Sequence, residues 1–228
     1  MRVGVITFPG TLDDRDAARA VIVGGAEAVS LWHGDADLKS VDAVILPGGF
    51  SYGDYLRSGA IAKFSPIMES VIAHANNGGY VLGVCNGFQI LTESGLLEGA
   101  LLHNDTQKFI CKNVYLKPVS KSAAPTQDLD TAKAYQIPIA HGEGRFYADD
   151  ATMASLHAND QILFTYCNAD ASADASSNPN GSLQLIAGIT NRTKNVFGMM
   201  PHPERAADKH LNNVDGLRIF ESILAHCS

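Results

Sequence analysis

A cysteine set between glycines, Gly83-Val-Cys85-Asn-Gly87, follows the short apolar run Tyr80–Val84 and precedes a helix-like stretch from Phe88. A strand that turns sharply into a helix holds the side chain at the turn clear of the sheet. Flanking glycines leave room for the neighbouring backbone. A thiol there sees unpaired helix N-terminal N–H groups and the positive end of the helix dipole, and both favour the thiolate. The chemistry this suits is nucleophilic attack. Taken alone, the pattern also fits a small buried residue closing a turn, because free cysteine is among the most buried residue types.

A base for such a nucleophile stands near the C-terminus, in Gly198-Met-Met-Pro-His-Pro-Glu-Arg205. Each proline biases the residue before it towards an extended backbone, and side chains two apart in an extended segment share a side. Glu204 is thereby expected to accept a hydrogen bond from one imidazole nitrogen of His202, leaving the other to face a thiol. Nucleophile, base and orienting carboxylate are what acyl transfer through a covalent intermediate requires. Read alone, this segment is first a proline-rich surface turn with two solvated polar groups; beside the elbow that reading gives way to the base.

The third component is an oxyanion site. Asp42-Ala-Val-Ile-Leu-Pro-Gly-Gly-Phe50 reads as a buried strand ending in Pro47-Gly48-Gly49. Glycines after a strand let main-chain N–H groups approach a ligand. In an elbow enzyme one donor comes from the residue after the nucleophile, here Asn86, and the second from a glycine-bearing strand-end loop, here Gly49 and Phe50.

The elements that must hold these residues alternate in the first half of the chain. Val3–Thr7, Ala28–Trp32, Ala43–Leu46 and Tyr80–Val84 read as short apolar strands, and Asp14–Val23, Ile61–Ala75 and Gly87–Glu93 as helices. This order predicts an α/β fold with a doubly wound, mostly parallel sheet and helices on both faces. Beyond Gly95 the strands Lys108–Val119, Tyr135–Ala140, Gln161–Tyr166 and Leu183–Thr190 are closely spaced, so a smaller mixed or antiparallel element is expected beside the main sheet. Asp215–Ala225 reads as a closing amphipathic helix, and Ala169–Gly181, ending Asn-Pro-Asn-Gly, as an exposed hairpin loop. Ligands of such sheets bind at the carboxyl ends of the strands, where Gly48 and Cys85 fall.

Composition sets bounds. The chain has 228 residues, 46% of them hydrophobic, enough for one domain spanning 1–228. A formal charge of −7 supplies no basic patch for nucleic acid. With no basic-apolar leader and no bilayer-length apolar run, a cytoplasmic location is expected. The cysteines at 85, 111, 167 and 227 include no Cys-x-x-Cys pair, so neither a disulfide framework nor a zinc site is expected.

These motifs resemble the class I, triad-type glutamine amidotransferases. The longer strings Pro47-Gly-Gly-Phe-Ser-Tyr-Gly-Asp-Tyr-Leu-Arg57, Pro138-Ile-Ala-His-Gly-Glu-Gly-Arg-Phe146 and Gly198–Arg205 are similar to the glutaminase subunits of phosphoribosylformylglycinamidine synthases, with likeness from Phe8-Pro-Gly to the last helix. The resemblance implies a Cys85-His202-Glu204 triad that hydrolyses glutamine, and a glutamine pocket lined by Gln89, His141 and Gly142. It implies no cofactor in this chain, with ATP and Mg on a large synthetase subunit and a small accessory subunit as further partner. No Gly-x-x-x-x-Gly-Lys-Ser/Thr phosphate loop occurs here, in keeping with that division. The loop Asp54-Tyr-Leu-Arg57 suits either contact with the synthetase or simple solvation.

Two positions depart from the pattern: Thr11-Leu-Asp-Asp stands where many members carry Ser-Asn-Cys, and Lys112 where arginine is frequent. Two other readings stay open on sequence, a peptidase-like hydrolase sharing the elbow and a regulatory subunit with a dead site. The second conflicts with an intact Cys85, His202 and Glu204.

Overall fold

In a computed structural model, residues 1–227 are described. The first half winds as β1 (Arg2–Thr7), α1 (Asp14–Val23), β2 (Glu27–Trp32), β3 (Ala43–Leu46), α2 (Pro66–Asn76), β4 (Tyr80–Val84) and α3 (Asn86–Glu93). The second half runs β5 (Ala100–Leu102), β6 (Ile110–Pro118), β7 (Tyr135–His141), β8 (Arg145–Tyr147) and α4 (Asp150–Ala158). It continues through β9 (Ile162–Cys167), β10 (Ile186–Thr190), β11 (Val196–Met199) and α5 (Asp215–His226). One nine-stranded sheet has the order β2-β1-β3-β4-β11-β10-β9-β6-β7, and β5 pairs with β8 in a separate two-stranded sheet.

The strands β2, β1, β3, β4 and β11 run parallel. Every residue of β3 and β11 is buried, as expected of strands covered on both faces. Helices α1 and α5 pack against each other on one face, where Val21, Phe220 and Ile223 meet Val44 and Val81. On the other face Phe88 of α3 closes on Gly198 of β11. Pro66 opens α2 at a position where its missing N–H costs nothing.

The closely spaced strands of the second half mostly extend the main sheet antiparallel, through β10, β9, β6 and β7, while β5–β8 forms the small element beside it. Four details differ from the sequence reading. The helix expected from Ile61 begins at Pro66, after a 3-10 turn at Ala62–Phe64. Leu183–Leu185 is a 3-10 turn before β10, with Gln184 and Leu185 at positive φ, so that strand starts later. Helix α4 lies where only a connection was expected, and Asp149 caps it by accepting the Thr152 N–H at 2.8 Å. The segment 169–181 does join the antiparallel pair β9–β10, but its Asn180 is fully buried and donates to the Gly144 carbonyl at 2.8 Å.

The end of the sheet where β1, β3, β4 and β11 finish gathers the loops that follow them. Strand β7, at the far edge of the order, curls back over that end: His202 N–H donates to the Pro138 carbonyl at 2.8 Å. Among the described residues no helix is long and apolar enough to cross a membrane.

Candidate active site

Parallel pairing of β4 with β11 sets Val84 beside Met199, so the chain leaves both strands at one level. The Cys85 N–H donates to the Met199 carbonyl at 2.8 Å. Cys85 then adopts φ 51° and ψ −107° before α3 begins at Asn86. That conformation is rare outside glycine and costs on the order of 1–3 kcal/mol, held here by the strand behind and the helix ahead. The flanking glycines are required: a Cβ on Gly87 would lie 1.8 Å from the Leu46 carbonyl oxygen, and one on Gly83 2.6 Å from the Gly87 carbonyl. The thiol is buried and approaches the Ala140 carbonyl oxygen at 3.8 Å.

His202 is 1% exposed, and its Nδ1 donates to Glu204 Oε1 at 2.6 Å. The hydrogen bond expected from the two-residue spacing forms, but not on an extended strand. Pro203–Ala206 is a 3-10 turn, and it is this turn that swings the Glu204 carboxylate back to the ring. Nε2 is left for the Cys85 sulfur. Burial disfavours a charged imidazole, yet the Glu204 carboxylate and the Cys85 sulfur outweigh it and raise the His202 pKa to about 10. The two negative neighbours thus favour the protonated ring.

The oxyanion donors need one correction. The Phe50 N–H is taken by the Gly10 carbonyl at 2.9 Å, and that bond pairs the 8–13 loop with the Pro47-Gly48-Gly49 turn. In this bridge the Gly49 N–H points away from Thr11, so Gly49 and not Phe50 offers its amide. Asn86 opens α3, where helix N–H groups lack partners. Its side chain is structural, with Oδ1 accepting from Ser51 N–H at 3.1 Å and Nδ2 donating to Gln89 Oε1 at 2.9 Å.

A cleft of about 140 Å³ opens over the thiol, lined in part by Gly49, Cys85, Gln89, His141 and Gly142. Its size suits an amino acid better than a nucleotide. Phe50 and Phe109 form one lip, their ring centroids 6.3 Å apart. Gln89 has little freedom to reorient, since its Nε2 donates to the Glu143 carbonyl at 2.6 Å. His141 meets Asn104 Oδ1 at 3.1 Å; burial, and then the charge on His202, push its pKa down to about 4. A neutral, buried His141 without a carboxylate partner is a wall of the cleft and not a second base.

Residues 1–222 match the family described as a CobB/CobQ-like glutamine amidotransferase domain. The chain is 52% identical to the phosphoribosylformylglycinamidine synthase subunit PurQ of Chlorobaculum parvum, over 99% of this chain and 90% of that protein. It is 54% identical to the same-named subunit of a Synechocystis strain, over 96% and 98%. The chain belongs to the PurQ family of glutamine amidotransferases. A solved structure of PurLQS from Thermotoga maritima contains a chain that this one matches at TM-score 0.86 and 39% identity, covering 100% of this chain and 99% of that one.

Four polar groups of this PurQ-family chain escaped the sequence reading as site residues. Asp54 and Glu143 line the cleft, and burial, with a lesser contribution from the Glu143 charge, raises the Asp54 pKa to about 6. Asn104 is fully buried and ties the cleft floor together: Nδ2 donates to the His141 carbonyl at 2.9 Å while Oδ1 accepts from Gly144 N–H at 3.2 Å. Asp13, noted on sequence only as a departure, sits 3.5 Å from His202 Nδ1. Asp13, His202 and Glu204 bring possible ligand atoms within 4.8 Å of one another. Glu204 Oε1 is taken by the imidazole and Asp13 Oδ1 by Arg205, while Asp13 Oδ2 and Glu204 Oε2 have no donor.

Proposed function

We propose that this chain is the glutaminase subunit of a phosphoribosylformylglycinamidine synthase, with Cys85, His202 and Glu204 as its triad. The observation that carries the reading is the buried His202–Glu204 pair, 2.6 Å apart, beside a cysteine on a strained strand-to-helix turn. Names shared with relatives at about half identity over nearly the whole chain support the acceptor chemistry.

With the thiol's proton held on His202, the Cys85 sulfur attacks the side-chain carboxamide carbon of glutamine. The N–H groups of Gly49 and Asn86 hold the developing oxyanion. His202 protonates the leaving nitrogen, ammonia departs, and a thioester remains. Water, deprotonated by His202, then splits the thioester to glutamate and restores the thiol. Asp54 and Glu143 supply negative charge for the α-ammonium group, which selects glutamine over simple amides.

Ammonia is consumed on a large synthetase subunit, where ATP and Mg support the conversion of formylglycinamide ribonucleotide to formylglycinamidine ribonucleotide; a small accessory subunit completes the complex in the cytoplasm. The test is Cys85→Ala in the assembled synthase. Glutamine-dependent synthesis is expected to vanish while ammonia-dependent synthesis persists. Continued turnover with glutamine would remove Cys85 as nucleophile.

A further inference from the structure

Asp13 is 3% exposed and its two carboxylate oxygens face different groups. Oδ1 accepts from Arg205 Nε at 3.0 Å and from Nη2 at 2.5 Å. Oδ2 has no hydrogen-bond donor of its own and lies 3.5 Å from His202 Nδ1. A buried carboxylate oxygen without a donor needs another source of positive charge, and the imidazole edge is the group it faces.

The loop that carries Asp13 is fixed for this contact. The N–H groups of Leu12 and Asp13 both donate to the Gly48 carbonyl, at 3.1 and 3.2 Å. A Cβ on Gly48 would fall 2.4 Å from Asp13 Oδ2 and 2.7 Å from His202 Cε1, so the missing side chain is the gap across which the two groups meet. Nδ1 has one N–H to give, and Glu204 takes it at the shorter distance. Asp13 therefore acts through its charge, and through Arg205, which follows Glu204 in the same 3-10 turn.

We propose that Asp13 is a positioning residue of this glutaminase: a second carboxylate on the base, which with Arg205 clamps the turn carrying Glu204 and stabilises protonated His202. The proposal rests on His202 being the base. It goes beyond the triad by giving the Thr11-Leu-Asp-Asp departure a task. The charged or titratable groups facing His202 are Glu204 on its own turn, Asp13 with Arg205 behind it, Cys85 at the end of β4, and His141 on β7, held neutral by burial.

The sign follows from those charges. An anion beside an imidazolium raises its pKa, so removing Asp13's charge lowers the pH at which the ring loses its proton. Removing Arg205's positive charge does the reverse. The experiment is the pH profile of glutaminase kcat in the assembled synthase for the unsubstituted protein, Asp13→Asn and Arg205→Gln, with circular dichroism and melting curves to confirm folding. The alkaline limb is expected to move down by about one unit in Asp13→Asn, since a partly neutralised charge at this range sits at the low end of such shifts. It is expected to move up in Arg205→Gln, with KM for glutamine little changed in both because neither residue lines the cleft.

Limbs that stay in place, or that move in the same direction, would overturn the proposal. If Asp13→Asn fails to fold, the upward shift in Arg205→Gln decides alone, and its absence overturns the proposal equally. His202→Asn separates the two levels. A profile that survives His202→Asn removes the base assignment, whereas one that His202→Asn abolishes and Asp13→Asn leaves unmoved removes only the role of Asp13.

Discussion

The Cys85 N–H and the Met199 carbonyl are hydrogen-bonded at 2.8 Å, which makes the strand that ends at Cys85 and the strand that leads to His202 a single unit. Met199 is followed by Met200, Pro201 and His202, so sheet register brings the Cys85 and His202 segments to one level. A change that shifts β4 against β11 should act on kcat with little effect on glutamine binding.

Gly87 offers that test. A Cβ there would press on the Leu46 carbonyl at 1.8 Å, and main-chain atoms cannot step aside as a flexible side chain can. Gly87→Ala is expected to lower stability by about 1–3 kcal/mol, the usual range for overpacking. It should also tilt the elbow and cost most of the glutaminase kcat while ammonia-dependent synthesis continues in the complex. Urea melts and paired glutamine and ammonia assays measure the two effects. Normal glutaminase kcat in this variant would mean that the elbow tolerates displacement.

Glu204→Gln should leave the fold intact and reduce kcat by about two to four orders of magnitude, because an amide cannot stabilise the imidazolium. Glu143→Gln should act mainly on KM, since Glu143 lines the cleft while Glu204 contacts the base. Steady-state kinetics of both variants in the complex separate these roles. A larger kcat loss at Glu143 would transfer the base from His202 to His141.

Asp54 is expected to make glutamine binding depend on pH. Its pKa is raised by burial to about 6, so the carboxylate loses its charge as pH falls through that value. With the substrate α-ammonium charged throughout, KM for glutamine is expected to rise below pH 6. Asp54→Asn should show the high KM at every pH and lose the dependence. A dependence that persists unchanged in Asp54→Asn would assign it to another group.

The parts that were legible in the sequence are those fixed by local pattern. Ala43–Leu46, Tyr80–Val84 and Asp14–Val23 have the ends expected of them, because a run of apolar residues between turn formers, or an amphipathic run with acidic residues in its first turn, specifies its own element. What was not legible depends on chain segments far apart. Val196–Met199 is short and contains a glycine, and it is a strand because β4 and β10 flank it. The curl of β7 over the site, and with it the placing of His141, comes from the antiparallel extension of the sheet and has no local signature. Asp13 stood in the sequence only as part of the Thr11-Leu-Asp-Asp departure; the closure of the 8–13 loop on Gly48 is what brings it to His202.

The last prediction is that the chain alone hydrolyses glutamine poorly and gains activity in the synthase. Gly49 and Asn86 are the proposed oxyanion amides, and the Gly49 N–H belongs to the peptide whose Gly48 carbonyl accepts from Leu12 and Asp13 N–H, so its aim follows the 8–13 loop. The segment that follows Gly49 is strained: Tyr52, Asp54 and Leu56 have φ of 54°, 54° and 72°. It also presents Tyr55 and Leu56 to solvent, 74% and 91% exposed, an apolar surface suited to cover by another subunit. A synthetase docked on this loop would hold the Gly49 peptide through Phe50 and the Gly10 pairing, and one oxyanion donor is worth roughly two to three orders of magnitude in kcat. Free glutaminase would waste nitrogen when no acceptor is present, so coupling the donor to the partner is economical. Steady-state glutaminase assays on the isolated chain, then with the large subunit, nucleotide and acceptor added, should give a kcat increase of about that size. Leu56→Asp should weaken assembly and abolish the increase without altering the slow rate of the isolated chain. Equal kcat with and without partners would rule out gating at Gly49.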